Sequence, residues 1–207
     1  MINLLSGGGF TYAIKNNLNP AHIGLLTSPS SANSPQHAID RGLPWACDND
    51  CFLTYNPMAI YNMLKKYQGL KGCVFMNVPD VVRNHKATLK RFHIWERIIH
   101  GLGFPVAFTL QNGCNVWDVP WNKCEAVFIG GDNLYKYSPA VRQIVQEANK
   151  RGLWSHNGRV NTPERVIYSR NIGCTSFDGT GYSIFPPKIN EVWQYHTAAR
   201  QPFLMEV

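Results

Sequence analysis

The stretch that decides the fold is Gly173-Cys174-Thr175-Ser176-Phe177-Asp178-Gly179-Thr180-Gly181. Small, apolar and β-prone residues lead to one carboxylate, and glycines follow it. This pattern predicts a buried strand that ends at an acid held over a tight turn. Asp178 then lies at the carboxyl end of a strand, the edge where α/β proteins bind ligands and where closed barrels carry their chemistry. A lone Asp-Gly is also typical of a simple turn, so the interpretation depends on whether the pattern recurs.

The pattern does recur, because short apolar strands alternate with helices along the whole chain. The predicted strands are Ile2–Leu5, His22–Thr27, Pro44–Cys47, Gly72–Val78, Pro105–Leu110, Glu125–Ile129, Leu153–His156 and Cys174–Phe177. Helices are predicted to begin at Ser34-Pro35, Asn56-Pro57, Asn84, Ser138-Pro139, Thr162-Pro163 and about Asn190, and the last of them is predicted to end at about Ala199. The glycine triplet Gly7–Gly9 lacks phosphate-loop spacing, so a close backbone turn is predicted there. This order predicts an α/β fold, a compact (β/α)8 TIM barrel formed by residues 1–207 as a single domain.

Length and composition agree with a globular domain that has a sizeable core. The chain has 207 residues, of which 44% are hydrophobic and 16% are charged. It contains no apolar run long enough to cross a membrane, and its first residues lack the basic start and apolar core of a signal peptide. A cytoplasmic protein with no membrane partner is therefore expected.

The cysteines predict buried free thiols and no metal site. None of the six cysteines forms a C-x-x-C pair, and no His-x-x-x-His follows them, as a structural zinc site would require. The alternative for a metal is a divalent ion held by Asp48, Asp50 and Asp80.

The charge balance suggests a polyanionic partner. Lys and Arg number 20 against 13 acids, a formal charge of +7. Such an excess suits nucleic acid, because phosphate contacts supply affinity that is independent of sequence. Arg159, Arg165 and Lys136 are predicted phosphate contacts, Arg159 being closest to the expected mouth of the barrel.

Polar residues follow the predicted strands at their carboxyl ends, which barrel closure brings around one mouth. They are Asp48, Asp80, Gln111, Gly130, Gly131, His156 and Asp178. Three carboxylates and an amide predict acid/base or nucleophilic chemistry on a polar organic ligand. The structural alternatives are carboxylates that cap helices, glycines that allow close backbone packing, and a packed histidine.

In this order the residues resemble the tRNA-guanine transglycosylase superfamily. The similarity spans Trp45 to Gly181, and its elements are Asp48-Asn49-Asp50-Cys51-Phe52, Val78-Pro79-Asp80, Gln111-Asn112-Gly113, Phe128-Ile129-Gly130-Gly131, Val160-Asn161-Thr162-Pro163 and Phe177-Asp178-Gly179. In the family these correspond to Asp-Ser-Gly-Gly-Phe/Tyr, an Asp after an apolar run, Gln-Gly-Gly, Gly-Gly, a Gly-(Thr/Lys)-Pro helix start and Phe-Asp-Cys.

The resemblance implies a role for each residue. Asp178 would be the nucleophile that attacks the sugar C1′, and Asp48 the acid/base that handles the proton of the leaving and incoming bases; from the residues alone, which of the two attacks stays open. Asp80 would accept hydrogen bonds from the purine, while Gln111 and the Gly130-Gly131 backbone would meet its O6. Phe52 would stack on the base, with His156 flanking it on the other side. No cofactor is expected.

One departure from the family pattern directs the substrate prediction. The tRNA enzymes carry a zinc-binding Cys/His subdomain after the nucleophile, whereas Gly179 to Val207 contains His196 and no cysteine. The chain therefore looks most like the phage-type 7-deazapurine DNA transglycosylases, which would act in the host cytoplasm. DNA and a preQ0-type 7-deazaguanine base are the expected partners, and tRNA is less expected. The alternatives are a tRNA-guanine transglycosylase, a nucleoside or N-glycosyl hydrolase, and a non-catalytic barrel that binds nucleic acid.

Overall fold

The computed structural model describes residues 1–197, and its eight parallel strands close into a barrel in sequence order. The strands are β1 (Ile2–Leu5), β2 (Ile23–Thr27), β3 (Trp45–Cys47), β4 (Cys73–Asn77), β5 (Val106–Leu110), β6 (Ala126–Ile129), β7 (Trp154–Asn157) and β8 (Ser176–Phe177). Closure pairs Ile2 with Ser176 and Asn3 with Phe177. The predicted (β/α)8 barrel is confirmed, and no strand boundary differs from its prediction by more than two residues.

Helices connect the strands and surround the barrel. They are α1 (Gly7–Lys15), α2 (Gln36–Ile39), α3 (Pro57–Tyr67), α4 (His85–Gly101), α5 (Asn133–Lys136), α6 (Pro139–Lys150), α7 (Pro163–Ile172), α8 (Thr180–Ile184) and α9 (Lys188–Thr197). Four of the long helices begin where the capping signals predicted, because the side chains of Asn56, Asn84, Ser138 and Thr162 accept backbone N–H groups of the first turn. Helix α9 begins slightly earlier than predicted, and the predicted end at Ala199 lies outside the described residues.

The turn predicted at Gly7–Gly9 is wrong, since these residues form the first turn of α1. Glycine is a poor helix former, so the sequence favoured a turn. Tertiary packing explains the difference. A Cβ on Gly9 would lie 2.7 Å from the carbonyl oxygen of Tyr182 in α8, and only glycine allows the two helices to approach this closely.

Two apolar layers support the site. The larger lies between the strands and the helices, and it includes Trp45, Phe92, Phe108 and Phe177. The smaller fills the barrel itself with Leu4, Leu26, Ala46, Phe75, Ala107, Ala126 and Phe128. The barrel interior is thus a packed core rather than a channel, and its upper surface forms the floor of the site. Within residues 1–197, no helix is both long enough and apolar enough to span a bilayer.

Candidate active site

The polar residues at the barrel mouth form the layer directly above this inner core. Side chains alternate along a strand, so the residue two positions after an inward-facing core residue also faces inward. Asp48 follows Ala46 in this way, and Asp178 follows the inward-facing Ser176. Together with Asp80 they line a cavity of about 360 Å³ at the carboxyl end of the strands.

Asp178 is held by a chain of hydrogen bonds that begins inside the barrel. Its Oδ1 lies 3.0 Å from His156 Nε2 and accepts the backbone N–H of Arg159 at 3.1 Å. His156 Nδ1 lies 2.9 Å from Ser176 Oγ, which accepts Trp154 Nε1–H at 2.6 Å. Since Ser176 uses a lone pair for Trp154, its O–H is free to donate to Nδ1, and in that tautomer the imidazole donates Nε2–H to Asp178. Two N–H donors on one oxygen stabilise a carboxylate.

His156 does not contact the cavity, in contrast to the prediction that it flanks a bound base. Its side chain is fully buried, with ring centroids 5.3 Å from Phe75 and 4.7 Å from Phe128. Phe128 itself lines the cavity floor. His156 therefore acts on the site through Asp178, whose orientation it sets.

Asp48 is a carboxyl group at the mouth whose pKa is raised into the neutral range. Burial raises the pKa of Asp48 from 3.8 to about 7, and the negative charges of Asp178 and Asp80 add to this. Hydrogen bonds oppose the rise: Asn77 Nδ2–H donates to its Oδ1 at 3.0 Å and the Asn49 backbone N–H at 2.8 Å. At neutral pH this group is poised between donating and accepting a proton.

Asp80 is buried and oriented by two side-chain amides. Asn49 Nδ2–H donates to Oδ1 at 2.9 Å, and Gln111 Nε2–H donates to Oδ2 at 2.6 Å. The Oε1 of Gln111 accepts the Arg83 backbone N–H at 2.7 Å, which fixes the amide orientation. Burial raises the pKa of Asp80, while the two amides oppose the rise. Each carboxylate oxygen keeps a lone pair, and Gln111 keeps one N–H, for a ligand in the cavity.

The two predicted glycines line the cavity where a side chain would not fit. A Cβ on Gly130 would lie 2.7 Å from Gln111 Nε2 and 2.8 Å from the Leu110 carbonyl oxygen. Gly131 has φ +75°, a conformation that favours glycine, and its Cβ would lie 2.8 Å from Asn112 Oδ1. The backbone of this segment therefore forms part of the cavity wall.

Lys136, predicted as an outer phosphate contact, lies inside the cavity wall instead. Its side chain is buried at the end of α5, and its Nζ donates to the Gly158 carbonyl oxygen. Burial lowers the pKa of Lys136 to about 8, and Arg159 and Arg165 lower it further, whereas Asp178 and Asp48 oppose the change. The ammonium group thus compensates part of the negative charge of the two aspartates.

Phe52 and Arg159 form an exposed stack at the rim. The Arg159 guanidinium lies 4.0 Å from the centroid of the Phe52 ring, which is 61% exposed. Arg159 adopts φ +60°, and its backbone N–H is the one that meets Asp178. Arg165, partly buried at the start of α7, also lines the cavity. Asp50 turns away from Asp48 and accepts the Ser30 N–H at 2.8 Å, so these two and Asp80 do not converge on one ion.

Sequence reasoning missed the amides that hold the carboxylates. Asn49 and Asn77 are both buried, although Asn49 lies within a motif and Asn77 within an apolar strand, where neither stands out as a site residue. Thr109 Oγ1–H donates to Asn77 Oδ1 at 2.6 Å, so Asn77 Nδ2 is directed at Asp48. Strand alternation could have identified Asn77 and Thr109 as inward-facing, because each lies two positions after an inward-facing core residue, Phe75 and Ala107 respectively.

No family model matches this chain, and no curated protein matches it. Solved structures resemble it in fold. The Amycolatopsis orientalis BexX/CysO complex matches at TM-score 0.54 and 11% identity, over 97% of this chain and 93% of that chain. A mandelate racemase/muconate lactonizing enzyme-like protein from Rubrobacter xylanophilus matches over 82% of this chain, at TM-score 0.47 and 10% identity. The match spans about half of that protein, 47% of its length. A native KDPGal structure matches at TM-score 0.44 and 12% identity, over 93% of this chain and 95% of that chain. At these identities the likeness establishes the barrel fold alone.

Proposed function

We propose that this protein is a transglycosylase that exchanges guanine in DNA for a 7-deazaguanine derivative of the preQ0 type. The reaction proceeds by double displacement through a covalent bond between Asp178 and C1′ of the deoxyribose. The observation that carries the proposal is one cavity in which three of the four lining carboxylates, Asp48, Asp80 and Asp178, have three different environments. Carboxyl groups set apart by their surroundings are typical of sites that divide acid/base and nucleophilic roles.

Asp178 is the nucleophile in this scheme. Its hydrogen bonds from His156 and from the Arg159 backbone leave Oδ2 free to attack. Attack by Oδ2 forms an ester bond to C1′ as the bond from C1′ to guanine N9 breaks, and the electron pair leaves with the base. The neighbouring Lys136 ammonium supports a carboxylate at this position.

Asp48 handles the proton in both half-reactions. With a pKa of about 7, a large fraction of Asp48 is protonated at neutral pH and can protonate the departing guanine. The carboxylate that remains accepts the N9 proton of the incoming 7-deazaguanine, which attacks C1′ and releases Asp178. Both steps are free of net oxidation or reduction, so the exchange requires no cofactor.

Asp80 and Gln111 provide recognition of a guanine-like edge. Asp80 accepts from N1–H and the exocyclic amine, and the spare N–H of Gln111 donates to O6. Both residues are buried, so a base with the opposite donor and acceptor pattern leaves unpaired groups and is rejected. The same edge is shared by guanine and 7-deazaguanines, which lets one pocket serve both half-reactions.

Nucleic acid binds at the rim with the target base extruded into the cavity. The exposed Phe52 ring offers a surface on which a base stacks, and Arg159 and Arg165 offer cations for phosphates. The formal charge of +7 supports the same partner.

The test is formation of a covalent adduct on denaturing gels. Wild-type protein is incubated with guanine-containing single-stranded DNA, duplex DNA or tRNA, and release of labelled guanine is followed in parallel. We expect an adduct with DNA that disappears in Asp178→Ala, which lacks the nucleophile, and that still forms but more slowly in Asp48→Ala, which lacks only the acid. Asp132→Asn is the matched control, because Asp132 lines the same cavity and its Oδ1 caps α5, a role that asparagine retains.

Each other outcome points to a different function. An adduct that forms only with tRNA indicates a tRNA-guanine transglycosylase. Release of free base without incorporation of preQ0 indicates an N-glycosyl hydrolase. DNA binding with neither adduct nor release contradicts the proposal and indicates a binding barrel.

A further inference from the structure

Three metal-ligating side chains meet outside the cavity, between the start of α4 and the loop that follows β5. They are His85, the first residue of α4, and Cys114 and Asp118 in the loop. One ligand atom from each lies within 4.8 Å of the other two. None of the three is a lining residue of the cavity described above, so this cluster is separate from the carboxylates.

The ligand atoms approach each other without pairing. His85 Nε2 lies 4.0 Å from Asp118 Oδ2, which is beyond hydrogen-bond distance. His85 Nδ1 is buried and has no hydrogen-bond partner within residues 1–197. The buried Cys114 thiol makes a long contact of 3.6 Å to the Asn115 carbonyl oxygen and also interacts with the Tyr135 side chain. A buried imidazole nitrogen without a hydrogen-bond partner is costly, and such an atom calls for a function that offsets the cost.

Outer contacts hold each of the three side chains in position. The His85 ring packs edge-on against Phe108 at a centroid distance of 6.2 Å. The Asn115 backbone N–H donates to Asp118 Oδ2 at 2.8 Å, and Tyr135 O–H donates to the Cys114 carbonyl oxygen at 3.1 Å. The Asn115 N–H meets a ligand atom directly, whereas the other two contacts fix the His85 ring and the Cys114 backbone; contacts that orient ligand residues in this way accompany metal sites.

We propose that His85, Cys114 and Asp118 bind one Zn²⁺ ion, with water as the fourth ligand. A mixed set of imidazole, thiolate and carboxylate suits zinc, a borderline-soft ion that prefers tetrahedral geometry. On binding, the thiol proton passes to solvent and the thiolate electron pair forms the Zn–S bond. The ion with one thiolate and one carboxylate is electrically neutral, which favours a buried location. Zn–N and Zn–S lengths of about 2.0 and 2.3 Å require the ligand atoms to draw together by about 1 Å.

The ion would link the start of α4 to the loop that begins at Gln111. The Cys114 backbone N–H donates to the Gln111 carbonyl oxygen at 3.0 Å, so the anchored cysteine and Gln111 belong to one turn. Gln111 in turn holds Asp80. Zinc at this position has a structural role, which is to fix the loop from which the amide reaches the cavity.

Cobalt substitution tests the site on the full chain. The protein is stripped with a chelator and titrated with Co²⁺, whose visible spectrum reports tetrahedral ligands and whose near-ultraviolet charge-transfer band reports thiolate. We expect one ion per chain, loss of the thiolate band in Cys114→Ser, and at least tenfold weaker binding in His85→Gln and Asp118→Asn. Zn²⁺ is expected to raise the Tm of the stripped wild type and to leave that of Cys114→Ser unchanged.

Cys124→Ser is the matched control, because Cys124 is another buried cysteine that precedes β6 and lies outside the cluster. Asp118→Asn keeps an oxygen for the Asn115 N–H, so it separates loss of metal from loss of fold, which circular dichroism checks for every variant. A folded wild type without a thiolate band, or a band that survives in Cys114→Ser, overturns the proposal.

Discussion

Replacing Asp48 by asparagine is expected to stabilise the protein at alkaline pH while abolishing base exchange. The asparagine Oδ1 can still accept the N–H groups of Asn77 and Asn49, so the local hydrogen bonds persist. The carboxylate, by contrast, is ionised against the effect of burial and of the neighbouring Asp178 charge. A residue kept at a cost in stability is typical of functional sites.

The size of the effect depends on pH in a defined direction. Burial raises the pKa of Asp48 from 3.8 to about 7, so the folded protein binds this proton more tightly than the unfolded chain does. Stability is therefore lost as the pH rises from about 4 to about 7. From pH 5 up to the pKa near 7, a span of two pH units, the loss in the free energy of unfolding grows by about 1.4 kcal/mol per unit, or about 3 kcal/mol in all. Above pH 7 it changes little, so a measurement at pH 8 captures the whole loss. Asp48→Asn should gain this amount relative to wild type.

Urea unfolding followed by tryptophan fluorescence at pH 5 and pH 8 measures the difference. Asp40→Asn, at the exposed residue that follows α2, is the matched control. The reasoning is refuted if the free-energy gap between Asp48→Asn and wild type is the same at both pH values, because burial would then not oppose ionisation of Asp48.

Three further substitutions test other parts of the site. Gly130→Ala would place a methyl group 2.7 Å from Gln111 Nε2, so we expect the free energy of unfolding in urea to fall by about 1–3 kcal/mol and the binding of 7-deazaguanine to weaken. Gly101→Ala is the control, because a methyl group there has no neighbour within 4 Å and should leave stability and binding unchanged. Burial lowers the pKa of Lys136 to about 8, so the rate of adduct formation, which first falls near pH 7 as Asp48 loses its proton, should fall more steeply above pH 8. A pH–rate profile of Lys136→Met should keep the first fall and lack the second. Phe52 is 61% exposed, so Phe52→Ala should leave the urea midpoint unchanged and weaken single-stranded DNA binding in fluorescence anisotropy by about 1–3 kcal/mol; equal affinities would remove Phe52 from the interface.

Local patterns were sufficient to predict the barrel and the positions of its carboxylates. Apolar runs identified the strands, and Asx or Ser/Thr-Pro pairs identified the helix starts, because both signals operate over a few residues. The acids that follow strands, Asp48, Asp80 and Asp178, were predicted to meet at one mouth, and they line one cavity. Closure of a parallel barrel imposes that meeting on any residue at a strand's carboxyl end.

The failures share a different cause. The helix at Gly7–Gly9 depends on contact with Tyr182, and the burial of Lys136 depends on the position of Gly158. No short-range pattern contains either distance.

Taken alone, the sequence determined the number and order of the strands and which acids face the mouth. The state of those acids depends on the tertiary structure, in which His156 orients Asp178 and burial, opposed by Asn77, brings the pKa of Asp48 near 7. The approach of His85 to Cys114 and Asp118 depends on it in the same way. The physical reason is range. Hydrophobic periodicity and capping depend on residues within one helical turn or one strand. The burial of a carboxyl group and its hydrogen-bond partners, by contrast, depend on residues far apart in the chain.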